Sequence, residues 1–221
     1  MRKVFIGVGH GGSDSGACAN GLRESDVNLE MALAMKAELE RYGVTVGISR
    51  TRDENDRLAE EIRECNAFSP ELAVEVHNNA GGGDGFECYI SGKNQTARQL
   101  AERIEAEVKR IGQNSRGVKV STGLGWVNKV KAPAVLCEGF FLDSEDCKVA
   151  DTAEKQRRFG QACARGVLGQ LGITVKEQEQ PAALTDRKAV QERFGFDDST
   201  MLYLDGYRFA AALYQRLART K

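Results

Sequence analysis

Residues 4–24 read VFIGVGHGGSDSGACANGLRE. The opening run, VFIGV, has the length and residue types of a buried strand. His10 closes it, and Gly11, Gly12, Asp14, Gly16, Asn20 and Gly21 follow. That is glycine-rich irregular backbone, which no helix can enter until it is over. Glu24 then stands beside Ser25, where a long amphipathic pattern begins. A histidine at the carboxyl end of a strand and a glutamate at the mouth of a helix are thus joined by a loop able to fold over a small object. The pattern predicts a metal ion there.

Outward from this stretch, strands and helices alternate. A helix is predicted from about residue 25 to 42, with Val27, Met31, Met35 and Leu39 on one stripe, Ser25 and Asp26 as capping residues, and Gly43 as the stop. A strand over residues 44–49 leads into the polar loop TRDENDR and a helix bearing Leu58, Ile62 and Cys65 that ends near Ser69 and Pro70. The next strand, LAVEVH at residues 72–77, also stops at a histidine, His77, and enters a loop with glycines 81–83 and 85. Residues 86–90 alternate as a strand, 96–111 form the clearest helix, 112–126 read as loop, 134–141 (AVLCEGFF) as a strand and 152–171 as a helix. The fold class is therefore α/β, with a twisted, mainly parallel sheet and helices on both faces. Such sheets carry their sites at the carboxyl ends of the strands, where His10, His77 and Glu138 fall.

The totals exclude several classes. With 31 basic and 32 acidic residues in 221, nothing marks a nucleic-acid or anionic-membrane surface. No segment is long enough to span a bilayer, and glycine and histidine interrupt the first apolar run, so it lacks a signal-peptide core. Six scattered cysteines without a Cys-x-x-Cys pair predict free thiols from a reducing cytoplasm. The length suits one domain over residues 1–175, a linker over 176–184 (KEQEQPAAL) and a small helical C-terminal segment over 185–221. That segment is too short to fold alone. It is expected to dock on the main domain, on a second copy of the chain as a homodimer, or on the material the protein acts upon.

His10 and His77 are the only histidines. Singly, each reads most simply as a hydrogen-bonded core imidazole; together, each ending a strand and entering a glycine-rich loop, they read as ligands. Two imidazoles and a carboxylate make an open zinc site with water in the fourth position. The remaining positive charge acidifies that water. Glu138, inside an apolar strand, is costly to bury as a bare anion. Either it pairs with an arginine such as Arg116 or Arg52, or it acts as a general base. Residue type and position leave these two readings even.

The runs VFIGVGHGGSDSGA with Glu24 in GLRES, VHNNAGGGDGFECY around His77, RGVK at Arg116–Lys119 and PAVLCEGFFLD around Glu138 resemble the zinc-dependent N-acetylmuramoyl-L-alanine amidases of the Amidase_3 type. The likeness covers about residues 1–172. It implies hydrolysis of the amide joining the lactyl group of muramic acid to the first alanine of the peptidoglycan stem. It further implies one zinc per chain on His10, Glu24 and His77, Glu138 as the catalytic glutamate, and Asn79 as a residue lining the cleft; Glu75 and Arg116 are expected to contact substrate or support the ligands. Glu75 replaces the family's usual serine, so it either orients an imidazole or faces a neighbouring helix in a salt bridge. After Glu138 the family's Leu-Gly-Phe is Gly139-Phe140-Phe141, and an asparagine is Ser144. Regulated relatives insert a long blocking helix before the last strand; its absence implies an open cleft that needs no activator. The expected partner is peptidoglycan, reached without membrane insertion after release by phage, prophage or mother-cell lysis. The rival readings are a zinc carboxypeptidase or deacetylase acting on wall material, and a non-catalytic wall-binding protein with structural zinc.

Overall fold

The computed structural model describes residues 2–92, 94–175, 183–196 and 217. The chain divides into two units, Met1–Thr174 and Val175–Lys221. In the second, a helix spans Ala183–Phe194 and stops at Gly195, whose φ of 65° only glycine adopts without strain. Most of the remainder of the helical segment expected over 185–221, and any homodimer made through it, lie outside the described residues, as does most of the expected linker.

The first unit is built on a six-stranded sheet. Its strands are β1 (Lys3–Val8), β4 (Thr45–Ile48), β5 (Leu72–Asn79), β6 (Phe86–Ile90), β7 (Ser115–Val120) and β8 (Ala134–Phe141). The order is β4-β1-β5-β8-β6-β7. The first four are mutually parallel; β6 runs antiparallel to β8, and β7 parallel to β6. A two-residue ribbon, β2 (Cys18–Ala19) with β3 (Leu22–Arg23), sits in the glycine-rich loop. The helices are α1 (Glu24–Arg41), α2 (Leu58–Phe68), α3 (Gln95–Arg110), α4 (Gly125–Lys129) and α5 (Ala153–Gln170), with a short 3-10 turn over Glu145–Val149.

Two expectations are corrected. The stretch read as loop over 112–126 contains β7 and the start of α4. Its strand SRGVKV is a half-exposed edge with Gly117 inside it, so no apolar alternation marks it. Nor do Ser25 and Asp26 cap α1: the N-cap is Arg23, without a side-chain bond. Instead the loop folds back, and the Glu24 and Ser25 amides donate to the carbonyls of Ala17 and Ser15.

One sheet face, with Val4, Ile6, Val8, Val74, Val76, Val135 and Cys137, is buried under α1, α3 and α5. A Cβ at Gly160 would lie 2.0 Å from the Met31 carbonyl oxygen, so α5 meets α1 backbone to backbone. On the other face α2 and α4 cover only part of the strands, packing Ile62, Cys65, Trp126 and Val127 on Phe5, Ala73, Ala134 and Leu136. Trp126 is fully buried and donates its indole N–H to the Val135 carbonyl at 3.1 Å. Truncating it costs about 3–5 kcal/mol. Past Leu136 that cover ends. There His77, Glu138 and Glu87 lie in one row of register partners across β5, β8 and β6, their side chains on the same face.

Candidate metal centre and catalytic glutamate

β1 stops at Val8, and the chain turns out of the sheet through His10, whose φ is 64°. A non-glycine residue in this left-handed region is strained, and here the turn is held from several sides. The Asn28 amide and the Arg50 guanidinium both donate to the Gly9 carbonyl, at 3.0 and 3.3 Å. Arg50 is buried and also donates to the carbonyls of Val8 and Ser25, tying the end of β1 to the start of α1.

The three predicted ligands come together. Glu24 Oε1 lies 3.2 Å from His10 Nε2 and 3.2 Å from His77 Nδ1. One ligand atom from each of the three residues falls within 4.8 Å of the others. The remaining polar atoms are engaged elsewhere. His10 Nδ1 is 2.9 Å from Asp14 Oδ2, Glu24 Oε2 accepts from the Ala17 amide at 2.9 Å, and Glu24 Oε1 also accepts from the Asn78 amide at 3.1 Å. A Cβ on Gly16 would lie 2.5 Å from Glu24 Oε2, and one on Gly9 would lie 2.2 Å from the His77 ring. Those two glycines give the ligands their room.

The electrostatics follow from this crowding. Burial alone would push the Glu24 carboxyl up, yet the two imidazoles and the Ala17 amide hold it well below the usual carboxylate range. Glu24 lifts His10 against the opposing effect of burial. Burial is likewise overcome at His77, which Glu24 and Glu75 lift well above the usual imidazole value. Two basic nitrogens and an anionic oxygen on one point are the donor set of a divalent metal, and this one suits zinc.

Glu138, the register partner of His77, has an oxygen, Oε2, that is buried without a hydrogen-bond partner among the described residues. Neither arginine offered by the sequence reaches it: Arg116 pairs with Glu87, and Arg52 with Glu54. Burial pushes its carboxyl up to about 7; His77 opposes this, while Glu24, Glu87 and Glu75 reinforce it. A carboxyl poised near neutrality beside a metal donor set is suited to proton transfer.

Glu75 touches both things the sequence offered it. Its Oε1 is 3.6 Å from His77 Nε2, and it also faces α2, where it meets a second acid, Glu61, rather than a cation. Glu61 is buried, accepts from the Val8 amide at 2.9 Å, and is pushed up to about 9 by burial and by Glu75. Asn79 follows His77 on the same strand face, its side-chain oxygen accepting from the Ala80 amide at 3.0 Å. Sequence reading missed Asp14, Arg50, Glu61 and Glu87. Only Asp14 carried a local signal, four residues after His10 within the same loop.

Residues 4–169 match the family model described as N-acetylmuramoyl-L-alanine amidase (Amidase_3). The chain belongs to this family. It is 35% identical over 189 residues to the N-acetylmuramoyl-L-alanine amidase CwlM of Bacillus licheniformis, covering 83% of this chain and 73% of that one. It is 38% identical over 154 residues to the endolysin of Bacillus phage SPP1, covering 66% of this chain and 56% of that one. Among solved structures, the amidase AmiC2 of Nostoc punctiforme superposes with a TM-score of 0.72 at 27% identity, over 77% of this chain and 97% of that one. The first unit is thus an amidase domain directed at peptidoglycan, and its α/β architecture is that of the family. All six cysteines are free. No described helix is long and apolar enough to cross a membrane.

Proposed function

We propose that the whole chain hydrolyses the amide between the lactyl group of N-acetylmuramic acid and the first L-alanine of the stem, with one zinc ion on His10 Nε2, Glu24 Oε1 and His77 Nδ1. The observation that carries this reading is the meeting of those three atoms beside Glu138, whose Oε2 is buried without a hydrogen-bond partner among the described residues. Zinc, when bound, polarises the scissile carbonyl and makes the attacking water more acidic. Glu138 accepts that water's proton and returns it to the alanine nitrogen as the C–N bond breaks. Asp14 and Glu75 hold the outer nitrogens of the two imidazoles and fix which nitrogen of each faces the ion. The partial burial of Glu138 keeps its carboxyl poorly solvated, which preserves its basicity.

Among the described residues the ligand cluster has three members, which favours an open catalytic site over a closed structural one. Between α3 and β8 the chain has room only for β7 and the five-residue α4, which packs on α2. The cleft therefore needs no activator. Mass spectrometry of digested peptidoglycan, with and without chelator, tests the reading. New alanine amino termini that vanish on chelation support it. Release of free amino acids or of acetate would instead establish the carboxypeptidase or the deacetylase.

A further inference from the structure

Beside Glu138, on the side away from the ligands, two cations share one buried acid. Glu87 is 3% exposed in its side chain. Its Oε1 takes both Arg116 Nε and Lys119 Nζ, the latter at 2.7 Å, and its Oε2 accepts from the Tyr89 hydroxyl at 2.7 Å. One carboxylate neutralises one cation, so the cluster keeps a net positive charge. That charge is accessible: the Arg116 and Lys119 side chains are 45% and 36% exposed.

The backbone is bent to put the charge there. Between Phe86 and Cys88 the pairing of β6 with β7 slips by one residue, leaving a bulge at Arg116 and Gly117, with Gly117 at φ 85°. A second bulge, in β8, follows Glu138 and returns Phe141 to the face of Glu138, opposite Asn79. The Arg116 guanidinium lies over the Phe141 ring, 5.3 Å from its centre. Bulges of this kind re-aim side chains. With Nε on Glu87 and one face on Phe141, Arg116 has Nη1 and Nη2 without a partner among the described residues. A planar fork with two free N–H groups, fixed from behind, matches a carboxylate.

We propose that Arg116 and Lys119, held on Glu87 and Phe141, form a subsite for a free carboxylate on the leaving peptide, in the residue that follows the alanine. The proposal rests on the amidase reading of the cleft. Glu87 is the register partner of Glu138, one strand away and two from His77, so the subsite lies about 10 Å from the ligands. From a scissile bond held over Glu138 the distance is one strand spacing, about 5 Å, which two extended residues, with a reach of about 7 Å, can span. Peptide stems whose second residue is joined through its side-chain carboxyl leave the α-carboxyl free, either as an anion or capped as an amide. The subsite selects the anion.

The test uses the full zinc-loaded chain and two soluble muramoyl tripeptides, identical except that the second residue carries a carboxylate in one and a carboxamide in the other. The wild type is expected to prefer the carboxylate by about tenfold or more in kcat/KM. Arg116→Gln should erase that preference, through a rise in KM for the carboxylate substrate that exceeds any change for the amidated one by about tenfold. Arg116→Lys keeps a charge on Glu87 and guards against misfolding; it should retain part of the preference. Equal wild-type rates on the two substrates, or equal losses on both in Arg116→Gln and in Arg116→Lys, overturn the subsite while leaving the amidase reading intact. Failure of the wild type to cleave either substrate overturns the amidase reading and the subsite with it.

Discussion

Glu87 and Glu138 are register partners on adjacent antiparallel strands, yet among the described residues only Glu87 pairs with an arginine and a lysine. In the proposed mechanism the pair divides two tasks between a buried acid, Glu87, and a half-buried one, Glu138. Burial would raise Glu87, but Lys119, Tyr89 and Arg116 hold it below the usual carboxylate range, so it stays an anion that anchors positive charge. Glu138, left unpaired, is pushed up to about 7 and can exchange a proton. Environment, not residue type, separates the structural acid from the reactive one.

In the proposed mechanism Glu138→Gln removes the proton acceptor and keeps the shape. Turnover on peptidoglycan should fall by about 10²- to 10⁴-fold, the usual worth of a general base. Zinc content, measured by metal analysis after dialysis, should not change. Activity within a few-fold of wild type would place the base on another residue.

On the proposed ligand set, zinc and protons compete for the same atoms. In the metal-free chain, His10 and His77 hold protons more tightly than free imidazoles because of Glu24. A histidine whose folded pKa is raised adds stability below the ordinary value of about 6.5 and loses it as pH rises through the folded value. Metal binding runs the other way, since the nitrogens must be free of protons. The gap in melting temperature between zinc-loaded and chelated protein should therefore be wider at pH 8 than at pH 6. A gap that narrows over this range would show that the imidazoles are not the ligands.

What the sequence disclosed was local. His10 and His77 each end a short apolar run and enter glycine, so strand, turn and ligand are read from neighbouring letters. Glu24 follows because the helix pattern starts beside it. Glu138 was visible as a charge in an apolar strand, but its freedom from Arg116 depends on Glu87, 29 residues from that arginine, taking the cation instead. β7 was hidden because an edge strand with one exposed face needs no apolar alternation. The meeting of Glu61 and Glu75 was hidden for a related reason: it arises from packing α2 onto β5, which leaves no local pattern.

That acid pair has a measurable cost. Glu61 is pushed up to about 9, so between roughly pH 4.5 and 9 the folded chain holds a proton that the unfolded chain releases. Stability from this group is complete below the unfolded value and falls as pH rises. By pH 7 the loss is on the order of 3 kcal/mol. Glu61→Gln keeps an acceptor for the Val8 amide and a donor toward Glu75 with no proton to lose. In denaturant titrations of metal-free protein, the variant should gain on wild type steadily from pH 5 to pH 8. Parallel curves for the two proteins would mean that Glu61 is ionised in the fold.

In the proposed site Glu75 acts on the metal through His77. Replacing it with alanine removes the carboxylate 3.6 Å from His77 Nε2 and frees the ring to turn. Zinc affinity, from competition with a chromophoric chelator, should fall by about 10- to 100-fold, with the fold intact by circular dichroism. Unchanged affinity would leave Glu75 as a partner of Glu61 only.

Gly9 gives the cleanest separation of ligand geometry from overall stability. A Cβ there would lie 2.2 Å from both Cε1 and Nε2 of His77. Since the Gly9 carbonyl is pinned by Asn28 and Arg50, the backbone cannot retreat, and the imidazole must swing away from Glu24. Gly9→Ala should thus lose zinc binding and activity together, at a stability cost of about 1–3 kcal/mol typical of an overpacked site. Gly123→Ala is the control, because a Cβ at Gly123 meets nothing within 4 Å. If Gly9→Ala binds zinc as tightly as the control does, then His77 does not hold the ion from the position it occupies beside Gly9.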